Sequence, residues 1–360
     1  GYLVDNYSWP YIFYINIPLG IIATILALTF VKSPKYGEKL KSNQVDWLGI
    51  FLLMAFIGSL QYVLEHGQQD DWFNNKTIII LSTITVFGLV LFIWRELTYK
   101  RPVVNLGVLK DGNLRIGTVM CFILGFGLYG STLIIPIYTQ TILGWTATDA
   151  GLLLIPGSIT TAFMMPIVGK LLQRGVPQSY MVGLGFLIFF FFTYMMHNNM
   201  TPSTGVEHLY WGLILRGIGL GLLFVPITTL SLSTLKGKDI GEGAAFTGMM
   251  RQLGGSFGIA TITTFITRFN QEHRVNLVSH LDTTRLEVQQ RVLTLQKGFM
   301  SKGFTANESL NKAYQVIDYS VMKQSAVLSY MDIFLYLGIM FLCCIPIIFL
   351  IKKGKNTINP

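Results

Sequence analysis

The stretch LYWGLILRGIGLGLLFVPITTLSLSTL, residues 209–235, decides what kind of protein this is. The hydrocarbon core of a bilayer is about 30 Å thick and takes roughly 20 apolar residues wound as a helix. The stretch exceeds that length and holds a single charge, Arg216. Hydrocarbon supplies no water to an unpaired peptide group, so a run this long closes its hydrogen bonds internally, as a helix. Working outward, comparable runs occupy 11–31, 47–64, 77–94, 116–143, 150–169, 178–196, 243–267 and 333–351, which makes nine in all. Only 209–235 and 243–267 carry a charge in mid-run, Arg216 and Arg251.

Composition points the same way. Of 360 residues, 51% are hydrophobic and only 12% charged. Soluble domains carry roughly twice that charged fraction, and a sphere of this size has no room to hide so much apolar surface. The reading is an all-α integral membrane protein whose first partner is the lipid bilayer. The net charge of +9 would suit nucleic acid, but the basic residues sit in the connections between apolar runs, so nucleic acid is set aside. Cys121, Cys343 and Cys344 lie inside apolar runs without CxxC or metal spacing, which indicates neither a disulfide framework nor a metal site. The histidines sit at run ends or in connections, and His273 and His280, seven apart, have no useful metal spacing. A membrane-embedded enzyme needs clustered His, Asp or Cys at membrane depth, and the runs offer none.

Loop charge sets the orientation. With the N-terminus outside, the inside connections hold sixteen basic residues, from Lys32, Lys35, Lys39 and Lys41 through Arg95, Lys100, Arg101, Lys110 and Arg115, then Lys170, Arg174, Lys236 and Lys238, to Lys352, Lys353 and Lys355. The short outside connections hold Lys76 alone, an asymmetry that places the basic loops in the cytoplasm. Segment 268–324 is a long outside connection, and long loops cross regardless of charge. Its spacing (Leu286, Val288, Val292, Leu293; then Leu310, Ala313, Val316, Ile317) predicts two amphipathic helices, either a solvated hairpin or a docking surface. Nine spans beginning outside at Gly1 are odd for a transporter made of paired repeats, so the expectation is that an N-terminal piece precedes this chain.

Several segments, in order, resemble the 14-helix drug:proton antiporters of the major facilitator superfamily, the EmrB/QacA type. GYLVDNYSWPYIFYINIPLG (1–20) is similar to the junction of that family's fifth and sixth helices, with Pro10 where Arg is usual. VDWLG (45–49) looks like the start of the seventh helix, and YTQTILGWTATDAGLLLIP (138–156) like the hairpin of the ninth and tenth. PIVGKLLQRG (166–175) resembles the C-half echo of the cytoplasmic Gly–Asp–Arg loop, with Gln173 where an acid is common. LRGIGLG (215–221) and MRQLGGSFG (250–258) complete the series. The resemblance implies the major facilitator superfamily fold, with the nine spans matching helices 6–14 of fourteen. Residues 1–31 are then the last helix of an N-terminal bundle, and 32–115 an inserted helix pair with a cytoplasmic linker. Residues 116–360 form a C-terminal six-helix bundle with the long periplasmic loop 268–324. The family's first five helices, with its main proton-coupling carboxylate and gating loop, have no counterpart in these residues.

The resemblance further implies a multi-pass protein of the bacterial inner membrane. It would export hydrophobic or amphipathic compounds by alternating access, driven by the proton gradient and without a cofactor, together with a periplasmic adaptor and an outer-membrane channel. A non-transporting remnant, or an exporter of one metabolite or siderophore, stays open. Arg216 and Arg251 are the sharpest residues, because a guanidinium in hydrocarbon is costly without a partner or water. They either serve the central cavity and its coupling switch, with Gln252 beside them, or snorkel and cap carbonyls. Tyr129, Tyr138 and Gln140, with Met164, Met165 and Phe224, are cavity candidates or plain core. Gly217-x-x-x-Gly221 and Gly254-x-x-x-Gly258 allow close helix approach. Pro156 and Pro226, with Pro136 and Pro166, are candidates for kinks used in gating. Asp46 reads as an N-cap and Asp149 as the cap before the fifth span; Glu65, Asp70 and Asp71 read as solvated. No acid in the runs is an obvious proton carrier.

Overall fold

The computed structural model describes residues 1–31, 45–99, 102–282 and 284–350. Lys32, Lys35, Lys39, Lys41, Lys100, Arg101, Lys352, Lys353 and Lys355, which carry much of the orientation argument, lie outside the described residues. Among the described residues every regular element is helical. They are α1 (Tyr2–Asn6), α2 (Tyr11–Tyr14), α3 (Asn16–Phe30), α4 (Trp47–His66), α5 (Lys76–Thr98), α6 (Gly112–Thr141), α7 (Ala147–Gln173), α8 (Gln178–Asn199), α9 (Val206–Leu232), α10 (Lys238–Ser279), α11 (Leu286–Met300) and α12 (Ala306–Cys344). Eight spans, counting α2 and α3 as one, are long and apolar enough to cross a membrane. The run at 243–267 lies in α10, whose glycines, threonines and Arg251 hold it below that hydropathy. It is instead sheltered between neighbours, packed on α6, α12 and α4.

The outer segment departs from two separate amphipathic helices. α10 carries on without a break past Thr267 to Ser279, α11 stands alone, and the second predicted helix is continuous with the last span. The sequence explains the fusion. Thr305 and Glu308 form a capping box that starts α12 firmly, and no Gly or Pro then interrupts the chain before Gly338. The distal part of α10 is tied to α12 by Asn270 with Ser325 (2.6 Å), His273 with Asp332 (2.7 Å) and Arg274 with Asp318 (2.8 Å). α11 packs on α12 with Val292 buried, leaving Leu286, Leu293 and Met300 exposed at heptad spacing.

α6, α7, α8, α9, α10 and α12 form one bundle, with α6 against α9 and α10, α7 against α9, and α8 between α9 and α12. Its densest part is aromatic: Phe186, Phe189, Phe192, Phe334 and Phe341 are all fully buried, and Phe189 stacks on Phe341 at 4.1 Å. Elsewhere helices meet through glycine. A Cβ on Gly125 of α6 would collide with the Arg251 backbone carbonyl of α10, and one on Gly254 with the Phe122 carbonyl of α6. Gly258 lies against Phe126. On the far side Gly217 meets the Gly157 carbonyl of α7, and Gly221 meets Met164. Helices cannot be drawn together in lipid by burying apolar surface, so contact this close supplies the dispersion that holds them. Pro136, Pro156, Pro166 and Pro226 all lie within continuous helices.

α3 has no buried residue, which lipid tolerates and water does not. α1 is tied to the start of α7, where the Thr148 amide and hydroxyl both donate to Asp5 (2.7 and 2.5 Å). Thr146, not Asp149, is the N-cap of α7; Asp149 completes its capping box. α4 and α5 form a pair joined by Ser59 and Thr85 (2.8 Å) and reach the bundle through Ser256, which donates to Gln61 (2.6 Å). At their inner end Asp46 caps α4, accepting from the Gly49 amide (3.0 Å), and binds Arg95 (3.0 Å), whose guanidinium also covers the Tyr99 ring at 4.0 Å. The Arg95 hydrogen bonds hold the Asp46 carboxyl below the usual carboxylate range.

Two outcomes are expected. Gly125→Leu and Gly254→Leu abolish assembly of the bundle, read as loss of the monodisperse peak in detergent size-exclusion chromatography, whereas Gly169→Leu, with nothing within 4 Å of its Cβ, leaves the peak intact. Asp46→Asn takes the charged acceptor from the partly exposed Arg95 and lowers the thermal midpoint. The folded carboxyl is depressed, so this contribution is complete above the unfolded value of about 4 and is lost as pH falls through the folded value. The thermal-midpoint gap between wild type and Asp46→Asn is therefore constant through neutral pH and shrinks in acid.

Candidate functional site

Both intramembrane arginines bear on α9, which carries Arg216 and offers the Phe224 ring to Arg251. Arg216 of α9 is buried, 6% exposed, and turns into α6 rather than toward either membrane face. Its Nε donates to Ser131 Oγ (2.9 Å), while one terminal nitrogen donates to the Leu128 carbonyl (3.2 Å) and to Thr132 Oγ1. The two hydroxyls in turn donate to α6 carbonyls, Ser131 to Gly127 (2.6 Å) and Thr132 to Leu128 (2.6 Å). Every acceptor is neutral. The planar fork of donors suits this arrangement, because it reaches hydroxyls on adjacent residues and a carbonyl between them.

Arg251 of α10 is half-buried, and its guanidinium lies over the Phe224 ring of α9 at 4.6 Å. Among the described residues no hydrogen bond or ion pair is formed by that guanidinium. A ring face is a weak partner for a cation, which leaves the donors of Arg251 available. One residue on, Gln252 accepts from the Tyr129 hydroxyl of α6 (3.2 Å), and Tyr129 is 37% exposed. Arg251, Phe224, Gln252 and Tyr129 thus sit where α6, α9 and α10 meet, with Met164 and Met165 half-buried on neighbouring α7.

The remaining sequence candidates lie elsewhere. Tyr138 is fully buried, its hydroxyl donating to the Thr201 carbonyl (2.7 Å) and its ring edge-on to Tyr330 at 5.9 Å. Gln140 is exposed near the outer end of α6. Gly217, Gly221, Gly254 and Gly258 line the helix contacts described above, and Pro226 is buried two residues beyond Phe224.

The electrostatics are one-sided. α6 and α8 contain no acid, and α7 and α9 carry one only in their first turns, Asp149 and Glu207. The acids of α10, Asp239, Glu242 and Glu272, lie toward its two ends. Among the described residues the bundle holds two cations and no carboxylate at membrane depth. Sequence reading did not single out Ser131 and Thr132, although adjacent hydroxyls inside an apolar run are a readable signal for a buried arginine. It also passed over Asp332, one residue before the last apolar run, which faces His273.

The family model described as Major Facilitator Superfamily matches residues 1–259. The chain belongs to the Major Facilitator Superfamily. This superfamily member is a multi-pass protein of the bacterial inner membrane. It is 30% identical over 358 residues to the fatty acid resistance protein FarB of Neisseria gonorrhoeae, covering 99% of this chain and 68% of that one. It is 30% identical over 283 residues to the multidrug export protein EmrB of Escherichia coli K12, covering 78% of this chain and 54% of the relative. The probable multidrug resistance protein EmrY of Escherichia coli K12 is 27% identical, covering 98% of this chain and 67% of that protein. The chain therefore spans between about half and two thirds of the length of these curated relatives.

The Arg216 clamp makes a measurable claim on this superfamily member. Arg216→Met removes charge-assisted bonds and lowers stability by about 2 kcal/mol, while Ser131→Ala with Thr132→Ala leaves the guanidinium buried without its hydroxyls and costs about 3 kcal/mol. Combined, the changes cost less than their sum, because both act on one contact. Strict additivity in a double-mutant cycle of detergent unfolding midpoints refutes the clamp.

Proposed function

We propose that this protein exports hydrophobic or amphipathic compounds by alternating access, and that its C-terminal bundle favours substrates bearing a carboxylate or similar anion. The observation that carries the reading is Arg251. It is a guanidinium at membrane depth, held over Phe224, with no ion pair among the described residues. A cation left in such a place is costly unless something intermittently neutralises it. An amphipathic acid does so, its charge on Arg251 and its apolar body along Phe224 and the methionines of α7. The name of the relative FarB, a fatty acid resistance protein, agrees with that chemistry.

Proton coupling belongs to the same proposal. Protonation biases which of two bundle arrangements is favoured, and the glycine seams permit helices to slide without voids. The division at residues 31 and 115 into bundle remnant, inserted pair and six-helix bundle is proposed on the packing of α4 and α5 as a separate pair. For the outer hairpin we propose an adaptor-facing role, supported by the exposed heptad stripe Leu286, Leu293 and Met300.

The test is export in cells carrying the complete reading frame. Arg251→Gln is expected to abolish resistance to amphipathic acids such as long-chain fatty acids while expression and detergent stability stay at wild-type level. Arg251→Lys, which keeps the charge, retains part of it. Full resistance in Arg251→Gln overturns the anion reading. Unchanged accumulation of labelled acid in cells with and without the wild-type protein overturns export itself.

A further inference from the structure

The outer turn between α4 and α5 holds the most unusual backbone of the molecule. Asp71 (φ 55°) and Trp72 (φ 50°) are consecutive residues in the left-handed region, and among the described residues no other non-glycine residue has positive φ. That conformation is unfavourable for an aspartate and more so for a tryptophan, so the surroundings must enforce it. Two contacts do so. The Trp72 amide donates to the Gly67 carbonyl (2.7 Å), and the indole Nε1 donates to Gln68 Oε1 (3.1 Å). The effect is to stand the Asp71 carboxylate and the Phe73 ring outward, Phe73 being 66% exposed.

These residues face the outer end of the long helix α10. Asp71, Trp72, Phe73, Asn74, Thr264 and Arg268 line one open cleft of about 520 Å³. Arg268 is exposed and is the first charge after the apolar run of α10, so the cleft lies at headgroup level. Asp71 and Arg268 share it without forming an ion pair. Opposite charges lining one cleft, forming no ion pair among the described residues and sharing it with the Trp72 and Phe73 rings, match a ligand that carries both signs. The Asn74 amide already donates to Asp71 Oδ2 (2.8 Å), and its second N–H remains for an acceptor. Trp and Tyr rings, and Phe just below them, settle at the membrane–water boundary.

We infer that this cleft binds a zwitterionic phosphoethanolamine lipid of the outer leaflet, its phosphate on Arg268 and Asn74, its ammonium on Asp71, and its glycerol region against Trp72 and Phe73. The lipid then sits at the outer end of the space between the α4–α5 pair and α10, whose direct packing through α4 includes the bond between Ser256 and Gln61. An ammonium with three donors satisfies Asp71, whereas phosphatidylglycerol, which has only hydroxyls there, leaves the carboxylate facing an anion. Recognition therefore discriminates between headgroups, which ordinary annular lipid does not.

The experiment uses the full chain, purified in detergent, delipidated and titrated with phosphatidylethanolamine or phosphatidylglycerol under native mass spectrometry. Wild type retains one phosphatidylethanolamine more tightly than phosphatidylglycerol. Arg268→Gln weakens that retention roughly tenfold, and Arg268→Lys largely restores it. Asp71→Asn erases the preference between the two lipids. Equal retention of both lipids by wild type, or no change in either charge variant, means annular lipid only and overturns the site. A second measurement needs no charge variant: quenching by brominated phosphatidylethanolamine, taken as the difference between wild type and Trp72→Phe, exceeds that by brominated phosphatidylglycerol. Equal quenching also overturns the site.

Discussion

Two apolar helices in a bilayer gain nothing by hiding from lipid, and this constraint shapes the whole molecule. Association has to come from contact closer than lipid chains can offer. The glycines of α6 and α10 provide it, with Gly125 on the Arg251 carbonyl and Gly254 on the Phe122 carbonyl. Because those backbones touch, Arg251 emerges at a fixed height beside α9, over Phe224, and Gln252 is carried to Tyr129. A larger residue at either glycine would lift α10 off α6 and take the cation away from its ring.

The same logic explains how a second charge is accommodated. Arg216 has no carboxylate to meet, and in low dielectric a single unmatched ion pair partner would be as costly as none. Hydroxyls that already bond their own helix serve better, since Ser131 and Thr132 offer lone pairs while remaining satisfied donors. The result is a buried cation that fixes the register of α6 against α9 without a buried anion. Arg251, with only a ring beneath it, is the contrasting case, a cation held in place yet still able to take an anionic partner. Two arginines of similar appearance in sequence are thus separated into a clamp and an open site by what stands opposite them.

Beyond the membrane the chain follows the rules of water. Capping boxes, the network of Asn270, His273 and Arg274 with Ser325, Asp332 and Asp318, and the amphipathic face of α11 hold up the outer hairpin. The segments 250–258 and 215–221, singled out by family resemblance, do meet α6 and α7 in close glycine contacts, although resemblance alone does not say which side chains face each other. Tyr138 and Gln140 illustrate this. They lie two apart on α6, and helical geometry sends them to different faces, one into the core against Thr201 and Tyr330, the other outward.

What the sequence determined by itself was everything that depends on the solvent. Length and hydrophobicity made eight of the spans, and the absence of Gly or Pro between Ala306 and Leu337 makes α12 one unbroken helix. These are local properties, settled residue by residue through transfer from water to hydrocarbon and closure of backbone hydrogen bonds. Only the tertiary structure decided the partners: that Arg216 answers to hydroxyls, that Asp46 meets Arg95 across 49 positions, and that Asp71 faces Arg268 without touching it. Partnership depends on which faces turn inward when helices pack. That is set by contacts between residues far apart in the chain, and no periodicity within one helix records it.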